Sequence, residues 1–190
     1  DDLSRGKKKR IIVKNNKLNI ISGDIRDFKK VKESLKNVDA VIHLAYINGT
    51  KFFYTNPTDI LEIAVKGIIN IIDACKTKKI KELYLASSSE VYQTPQKIPT
   101  DEKESLKIPD IYNPRYSYGG GKIITELMGI HYGKKFFKKL IIFRPHNVYG
   151  PDMGNEHVVP EFIKRFKNLK NRFFKIQGTG NEIRSFIYID

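Results

Sequence analysis

Short apolar runs alternate along the chain with longer segments in which apolar residues recur every three or four positions. The short runs predict strands at residues 18–22, 40–45, 82–87 and 140–144. The longer segments predict helices over residues 28–36 and 57–75. Strands that alternate with helices are typical of a parallel sheet with helices packed on both faces. The pattern therefore predicts an α/β fold.

Signals at the ends of these segments agree with the pattern. Asp27 is a candidate cap for the first helix, and Asn56 followed by Pro57 is a favourable start for the second. Proline and charged residues are frequent between positions 93 and 113. That stretch predicts a surface loop that leads into a further helix.

Composition narrows the class of protein. The length of 190 residues and the apolar content of 40% suit one α/β domain with a packed core. The single cysteine, Cys75, falls in an apolar helical pattern, which excludes disulfides and fits a reducing, cytoplasmic setting. No apolar run approaches the roughly 18 residues that cross a bilayer, and His146 and His157 stand in no cluster with metal-ligand spacing. We therefore expect neither a membrane role nor a metal.

The formal net charge of +14 raises the question of a nucleic-acid partner. The basic residues cluster at positions 7–10, 76–79 and 134–135, in predicted loops and helix ends, and do not alternate with aromatic residues. This distribution favours solvated charges over a nucleic-acid surface. A positive potential would also attract a diphosphate-bearing substrate. We therefore expect no nucleic-acid partner.

Candidate chemistry comes from Tyr118 and Lys122. Residues four apart share a helix face, so the ammonium can lie beside the phenol ring, favour the phenolate and lower the tyrosine pKa from about 10. The spacing alone is a weak motif because the chain contains ten tyrosines and many lysines. Its context adds weight, because a predicted strand ends upstream in Ser87-Ser88-Ser89-Glu90. Ligands of such sheets bind beyond the carboxyl ends of the strands.

These and other short segments occur in the order found in the extended short-chain dehydrogenase/reductase family, and the chain resembles its NAD-dependent nucleotide-sugar epimerases and dehydratases. The matching segments are residues 1–4, 23–27, 43–45, 87–92, Tyr118 with Lys122, 144–151 and 184–186. The resemblance implies a Rossmann-like doubly wound parallel sheet. It also implies a cytoplasmic, homodimeric enzyme that acts on a nucleotide-diphosphate sugar with NAD.

One landmark of the family is missing from the sequence. Family members begin with a strand and a Gly-rich turn whose amides hold the cofactor pyrophosphate, and no such turn is found here. We therefore expect a fragment truncated at the N-terminus. Residues 1–150 would form a partial NAD-binding domain and residues 151–190 the start of a smaller substrate-binding region. We expect this fragment alone to fold incompletely, to bind NAD poorly and to be inactive, because the strand at 18–22 would lack its neighbour.

The resemblance implies catalytic roles for four residues. Ser88 would hydrogen-bond the 4-hydroxyl of the sugar, and Tyr118 would take its proton as C4 is oxidised to a ketone. Lys122 would hold the cofactor ribose and keep Tyr118 acidic. Glu90 would act as an acid or base near C5 and C6, or alternatively would have a structural role or bind a substrate hydroxyl. Epimerisation, dehydration and decarboxylation therefore stay open, as do the identities of the sugar, the base and the stereocentre.

The resemblance also assigns the binding residues. An acidic Asp1 would bind the adenosine ribose and favour NAD over NADP, with Asp24 as an adenine contact or alternatively an ordinary turn residue. Asn147 would hydrogen-bond the substrate and Arg184 would clamp its diphosphate. The cofactor set is Asp1, Asp24, Ile25, Leu44, Ala45, Tyr46, Tyr118, Lys122 and Pro145. The substrate set is Ser88, Asn147, Val158, Gln177 and Arg184, of which Val158 and Gln177 also fit ordinary positions in a helix start and a strand end.

Two positions depart from the family pattern. Ala64 stands where the family usually has an asparagine, and Gly121 stands where it has serine or threonine before the catalytic lysine. Gly121 ends a run of three glycines that begins at Gly119. Because each interior glycine costs a helix about 1 kcal/mol relative to alanine, the run predicts close approach of another segment to this backbone.

Two alternatives come from other functional classes. One is a noncatalytic relative that uses the fold as a scaffold or an RNA-binding surface. The other is a reductase or lyase that acts on a different small carbonyl or alcohol. The presence of Ser88, Tyr118 and Lys122 argues against the first, and the matches at Asn147 and Arg184 favour a diphosphate substrate over the second.

Overall fold

The computed structural model of the chain describes residues 1–4, 6, 8, 11, 17–133, 135–154, 157–170, 172–176 and 178–190. They fall into two compact units, Asp1–Arg144 and Pro145–Asp190. Within these described ranges, no helix has both the length and the apolar character needed to cross a bilayer.

The larger unit alternates helices and strands, as the sequence predicts. Its elements are α1 (Phe28–Ser34), β1 (Ala40–His43), α2 (Thr50–Thr55), α3 (Pro57–Glu62), α4 (Ile68–Lys78), β2 (Glu82–Ala86), α5 (Tyr116–Leu127) and β3 (Lys139–Phe143). One π-helical turn, Ile63–Gly67, joins α3 to α4, and another, Met128–Gly133, extends α5. A short 3-10 turn, Ser89–Val91, follows β2. The predicted helix over 57–75 is therefore one continuous helical segment with a local change of pitch.

The predicted helix starts differ in outcome. The side chain of Asp27 accepts a hydrogen bond from the Lys30 amide at 3.1 Å and so caps α1 as predicted. Asn56 makes no side-chain capping bond to α3, so its predicted role as a side-chain cap is wrong. Its side-chain oxygen instead accepts a hydrogen bond from the Thr55 hydroxyl at 2.6 Å. Pro57 occupies the start of α3 as predicted.

The three strands form a parallel sheet in the order β1-β2-β3. Val41 pairs with Leu83, and Leu83 pairs with Leu140. Because parallel strands point the same way, their carboxyl ends share one edge of the sheet, and the segments that follow β1 and β2 start there. The α/β prediction and three of its strands are confirmed.

The predicted strand at residues 18–22 is wrong, since these residues, all of them described, adopt no strand. Apolar Ile20 and Ile21 keep 39% and 37% of their surface exposed. The backbone meets Asp1 through two hydrogen bonds, Asp1 amine to Ile21 carbonyl at 3.2 Å and Gly23 amide to Asp1 carbonyl at 3.1 Å. These bonds do not continue into a ladder. An apolar run becomes a strand only where a neighbouring strand completes its backbone hydrogen bonds.

The core lies between one face of the sheet and helices α1 and α4. On α4, apolar residues at helical spacing, including Ile68 and Ile72, are fully buried against Leu83 and Leu85 of β2. Cys75 is buried in the same cluster, and burial raises its pKa to about 11, as expected for an inert core thiol. On the other face of the sheet, Ile42 keeps 63% of its surface exposed. Cover by helices is therefore seen on one face within the described residues.

The smaller unit contains a parallel strand pair and one helix among its described residues. They are β4 (Asn147–Tyr149), α6 (Val158–Lys167) and β5 (Phe186–Tyr188). Tyr149 packs against Tyr188 with ring centroids 5.2 Å apart, and Phe166 of α6 stacks on Phe174 at 4.2 Å. Aromatic pairs of this kind contribute stabilisation beyond the apolar area that they bury.

Candidate active site

The loop after β2 and the middle of α5 bring Ser88, Tyr118 and Lys122 together. Their exposed fractions are 8%, 6% and 4%. The side chains of Ser88 and Tyr118 are hydrogen-bonded. The Lys122 ammonium donates to the carbonyl of Ala86, the last residue of β2, at 2.7 Å. Three polar groups predicted to act together thus lie at the carboxyl end of one strand, shielded from water.

Local backbone geometry explains how Ser88 reaches this place. Ser88 is extended, with φ −161° and ψ 151°, and its hydroxyl accepts a hydrogen bond from the Glu90 amide at 3.2 Å. This bond caps the 3-10 turn that carries the chain away from the sheet. Ser88 therefore caps the 3-10 turn and at the same time contacts Tyr118.

The environment raises the pKa of Tyr118. Burial is the largest cause, the negative charge of Glu90 acts in the same direction, and the hydrogen bond with Ser88 opposes both. The Lys122 ammonium lies 5.8 Å from the centre of the Tyr118 ring. The predicted lowering of the Tyr118 pKa by this lysine is therefore wrong for the chain alone, because removal of the phenol from water outweighs it.

Lys122 itself is strongly perturbed. Burial lowers its pKa to about 7, since a charged ammonium is disfavoured away from water. The Ala86 carbonyl and the ring of Tyr46, whose centroid is 3.8 Å from the ammonium, are its close contacts that favour the charged form. A lysine in such surroundings can change charge near neutral pH.

Glu90 lies at the entrance to this cluster. Its side chain is 43% exposed and forms an ion pair with Arg115 at 3.4 Å. Its charge also reaches Tyr118, as the shift in the tyrosine pKa shows. Arg115 was not among the residues predicted from the sequence. Its position three residues before Tyr118, on the same helix face, is the signal that could have found it.

A second polar cluster fixes α5 to the ends of β2 and β3. The Ser87 hydroxyl donates to Glu126 at 2.5 Å, and the Arg144 guanidinium donates to both oxygens of Glu126 at 2.8 and 2.6 Å. Arg144 also donates to the Tyr92 hydroxyl at 2.6 Å. The cluster was missed from the sequence. Glu126 follows Lys122 by four residues, so the spacing 118-122-126 already places all three on one helix face.

Each of the three glycines in α5 has a different side chain close to its backbone. A side chain at Gly119 would meet the Gln93 side chain at 2.9 Å, and one at Gly120 would meet the tip of Ile108 at 3.3 Å. One at Gly121 would overlap the Tyr46 hydroxyl and lie 2.9 Å from the Ala64 side chain. The predicted close approach to this backbone is confirmed. Gly121 is the most crowded of the three.

Most predicted cofactor residues line one groove at the carboxyl edge of β1. The groove has a volume of about 300 Å³ and is lined by Asp1, Asp24, Ile25, Leu44, Ala45 and Tyr46, together with Gly6, Gly23 and neighbouring residues. A side chain at Gly6 would come within 3.0 Å of the Asp1 carboxylate. An acidic group beside bare backbone fits the ribose of a dinucleotide.

Asp24 takes part in an ion-pair network at one side of this groove. Arg26 contacts the Asp24 carboxylate at 2.7 Å and also reaches Asp59 and Glu62 of α3, each at 2.9 Å. The hydrogen bond from Arg26 lowers the pKa of Asp24. The Asp24 carboxylate also accepts from the Arg26 backbone amide at 2.8 Å, so the turn-forming alternative is realised here.

The chain matches the model of the NAD dependent epimerase/dehydratase family over residues 2–190.

The chain belongs to this family.

Curated relatives include both reaction types of the family. The chain is 30% identical over 179 residues to a dTDP-D-glucose 4,6-dehydratase of Dictyostelium discoideum, a match that covers 90% of the chain and 40% of that protein. It is 33% identical over 195 residues to a putative UDP-glucose 4-epimerase of Methanocaldococcus jannaschii, covering 100% of the chain and 60% of the relative. The chain thus spans about half the length of these relatives.

Solved structures agree on the fold. A UDP-N-acetylglucosamine 4-epimerase from Methanobrevibacter ruminantium, in complex with UDP-N-acetylmuramic acid, superposes with a TM-score of 0.85 at 27% identity. The match covers 99% of this chain and 59% of that one. A UDP-glucose 4-epimerase from Thermotoga maritima, with UDP-glucose, gives 0.84 at 23% identity over 99% of this chain and 60% of its own, which supports the fold alone.

The predicted family and its Rossmann-like fold are confirmed by these comparisons. The predicted cofactor, NAD, is the cofactor named in the description of the epimerase/dehydratase family. The residue assignments inside the site are not tested by the comparisons and stay predictions.

The remaining predicted binding residues lie in the smaller unit. Pro145 lies two residues before β4, Asn147 begins β4, and Val158 begins α6. The Asn147 side chain donates to the Ser185 carbonyl at 2.9 Å. Arg184 is exposed, two residues before β5, and donates to its neighbouring Ile183 carbonyl at 2.8 Å. Gln177 lies outside the described residues. Their roles in the epimerase/dehydratase reaction stay predictions.

Among the residues that the structure describes, no three His, Cys, Asp or Glu side chains lie close enough together to hold a metal ion.

Proposed function

We propose that the protein containing this chain is an NAD-dependent nucleotide-diphosphate-sugar epimerase or dehydratase that first oxidises the sugar at C4. The observation that supports this most directly is the burial of Ser88, Tyr118 and Lys122 together at the carboxyl end of β2. A scaffold protein has no need to bury a lysine and a hydrogen-bonded Ser-Tyr pair at such a position, because burying polar groups is costly.

Ser88 and Tyr118 would handle the proton of the sugar 4-hydroxyl. Ser88 would hydrogen-bond the hydroxyl oxygen, and the Tyr118 oxygen would accept the proton, since the two side chains are already hydrogen-bonded to each other. NAD, when bound, would accept the hydride from C4 and later return it. The product of this half-reaction is a 4-keto sugar, in which the protons at C3 and C5 are acidic enough to be removed.

Lys122 would supply the positive charge that Tyr118 needs. Burial and Glu90 raise the pKa of the phenol, so proton transfer to a Tyr118 phenolate requires a nearby cation to stabilise it. The pKa of Lys122, about 7, means that it carries a charge at and below neutral pH. The same ammonium could donate to ribose hydroxyls in the adjoining groove.

The groove residues would bind the cofactor. The Asp1 carboxylate would accept hydrogen bonds from the adenosine ribose, and its negative charge would disfavour a 2′-phosphate, hence NAD over NADP. Leu44, Ala45 and Tyr46 would contact the middle of the dinucleotide from the carboxyl end of β1. Pro145 is proposed near the nicotinamide by resemblance to the family.

Glu90 would decide between the two reaction outcomes. Its partly exposed carboxylate is held by Arg115 at 3.4 Å and faces the same cluster as Tyr118. As an acid or base it would assist loss of water or carbon dioxide from the keto sugar. As a hydroxyl-binding group it would leave epimerisation as the outcome.

The nucleotide and diphosphate are proposed to bind to residues of the smaller unit. Arg184 offers an exposed guanidinium, whose planar fork suits a diphosphate. Asn147, Val158 and Gln177 are the further candidates. A homodimer and a cytoplasmic location are proposed from the resemblance alone.

The test is turnover by the complete protein in which this chain occurs. It would be incubated with NAD and a panel of UDP-, GDP-, CDP- and dTDP-sugars, with products analysed by mass and NMR. Loss of water or carbon dioxide identifies a dehydratase or decarboxylase, and unchanged mass with inverted stereochemistry identifies an epimerase. A Glu90→Gln variant should stall at the keto sugar in the first case alone. No turnover of any sugar would contradict the proposal and favour a scaffold role.

A further inference from the structure

Tyr46 lines the groove and also lies directly against Lys122. It follows β1 by three residues, and its ring centroid is 3.8 Å from the Lys122 ammonium. The edge of the same ring meets Tyr118, with centroids 5.3 Å apart and planes at 89°. The ammonium is thus held between an aromatic face and the Ala86 carbonyl.

The space for the end of this ring depends on Gly121. A side chain at Gly121 would overlap the Tyr46 hydroxyl. The absence of a side chain there lets Tyr46 reach its place beside Lys122, since a larger residue at Gly121 would displace it.

The hydroxyl of Tyr46 gives no local reason for the choice of tyrosine. It is buried and has no hydrogen-bond partner among the described residues. Burial raises the pKa of Tyr46, with the neighbouring Tyr118 acting in the same direction, so the phenol stays neutral. An unpartnered buried hydroxyl is unfavourable. The contact between the ring and Lys122, in contrast, does not depend on the hydroxyl.

We propose that Tyr46 is a positioning residue for Lys122, and that the face of its ring holds the ammonium at the Ala86 carbonyl beside Tyr118. The contribution to catalysis rests on the proposed function above, whereas the ring-cation contact does not. A cation over an aromatic face is favourable because the ring carries negative charge on its face, and burial of Lys122 strengthens the attraction. The ring therefore favours the charged form of Lys122, against the effect of burial.

The effect of the ring on the Lys122 pKa can be measured because the other charged or titratable groups around it are neutral or paired. Burial and Lys122 lower the pKa of His43, on β1, to about 4, so it is neutral at the pH at which Lys122 titrates. Glu126, one turn further along α5, is paired with Arg144, and Glu90, on the 3-10 turn, is paired with Arg115. On α3 and the π-helical turn after it, the charged side chains Asp59, Glu62 and Lys66 are paired with Arg26 or with each other.

The experiment measures the titration of Lys122 directly. The complete protein is labelled with 13C-lysine, and the Lys122 signal is assigned by its loss in a Lys122→Met variant. Position 46 then carries tyrosine, phenylalanine, pentafluorophenylalanine or leucine. Fluorination removes the negative charge of the ring face while it keeps the shape, so this variant stays informative if Tyr46→Leu fails to fold.

The ring contact predicts a specific order of results. Tyr46→Phe should keep the Lys122 pKa, whereas the fluorinated ring and Tyr46→Leu should lower it by about one unit, a tenfold loss of proton affinity. An unchanged pKa with the fluorinated ring would overturn the proposal. A drop as large in Tyr46→Phe would overturn it too, because the hydroxyl would then be the active group.

Turnover provides an independent second readout. In the active enzyme, the basic limb of the kcat/KM profile should move to lower pH with the fluorinated ring and stay in place with Tyr46→Phe. If no sugar is turned over, the proposed function fails while the NMR titration still decides the role of Tyr46. If the Lys122 pKa does not depend on the ring at position 46 and the enzyme turns over sugar, the role of Tyr46 is rejected and the proposed function is retained.

Discussion

At the scale of single residues, the site brings together three buried polar side chains, those of Ser88, Tyr118 and Lys122. Ser88 and Tyr118 share a hydrogen bond, and Lys122 keeps its ammonium 2.7 Å from the Ala86 carbonyl. Burial shifts the two titrating groups in opposite directions, raising the pKa of Tyr118 and lowering that of Lys122. Both shifts have the same cause, because burial disfavours the charged form of each group, the phenolate of Tyr118 and the ammonium of Lys122.

The buried lysine predicts a particular dependence of stability on pH. Its pKa falls from 10.5 to about 7 on folding, so between these values the unfolded chain binds a proton that the folded chain does not. The free energy of unfolding should therefore rise with pH across this window, by up to about 4 to 5 kcal/mol in total, and the gain is lost as pH falls toward 7. A Lys122→Met variant of the complete protein should show a flatter dependence in urea titrations between pH 6 and 9.

The matched control for that experiment is Lys29→Met, which replaces an exposed lysine on α1. This variant should follow the wild type at every pH. Identical pH dependence of Lys122→Met and Lys29→Met would show that Lys122 is not held neutral by the fold.

At the scale of elements, α5 is the helix that organises the site. Tyr118, Lys122 and Glu126 repeat every fourth residue along its buried face. The first two meet the end of β2, and Glu126 joins Ser87 and Arg144 at the ends of β2 and β3. The glycine run lets neighbouring segments approach the same helix closely. A helix fixed at so many points can hold reacting groups to within a fraction of an ångström.

The Glu126–Arg144 pair should be worth far more than the exposed pairs of this chain. A Glu126→Gln variant leaves the guanidinium with a neutral partner in a largely buried place, at an expected cost of about 3 to 5 kcal/mol in unfolding free energy. Glu161→Gln, which breaks the exposed pair with Arg165 in α6, should cost about 0.5 kcal/mol or less. Chemical denaturation of both variants gives the comparison. Equal, small losses would mean that the buried pair does not fix α5.

Crowding at Gly121 predicts a coupling between two positions. Gly121→Ala should cost about 1 to 3 kcal/mol, although alanine favours a helix, because the new methyl overlaps the Tyr46 hydroxyl. Tyr46→Phe removes that hydroxyl, so the double variant should lose less than the sum of the two single ones. Gly120→Ala is the matched control, since it meets a flexible end of Ile108 and should be tolerated. Purely additive losses would place the Tyr46 hydroxyl elsewhere.

At the scale of the whole molecule, sequence patterns were sufficient for the elements that carry their own signals. The alternation of strands and helices, the cap at Asp27 and the face shared by Tyr118 and Lys122 depend on residues close together in the chain. The apolar run at 18–22 depends instead on a partner strand, which a local pattern cannot supply.

Sequence patterns did not predict contacts between segments that are far apart in the chain. The position of Tyr46 against Gly121 joins residues 75 positions apart, and the Glu126–Arg144 pair joins residues 18 positions apart. The sign of the Tyr118 pKa shift was likewise unpredictable, because spacing reveals the nearby cation but not the depth of burial that opposes it.

In the proposed reaction, Tyr118 takes the proton of the 4-hydroxyl as hydride leaves C4 of the sugar. The most direct measurement is a single turnover of the complete protein with its sugar substrate, unlabelled or deuterated at C4, followed by the absorbance of the reduced nicotinamide. We predict that the nicotinamide is reduced more slowly when C4 carries deuterium. The rate of this reduction should fall by about 100- to 10,000-fold in Tyr118→Phe. It should change little in the control Tyr116→Phe, which alters a tyrosine on the same helix. Reduction of the cofactor at the wild-type rate in Tyr118→Phe, or product formation without any effect of deuterium at C4, would contradict this mechanism.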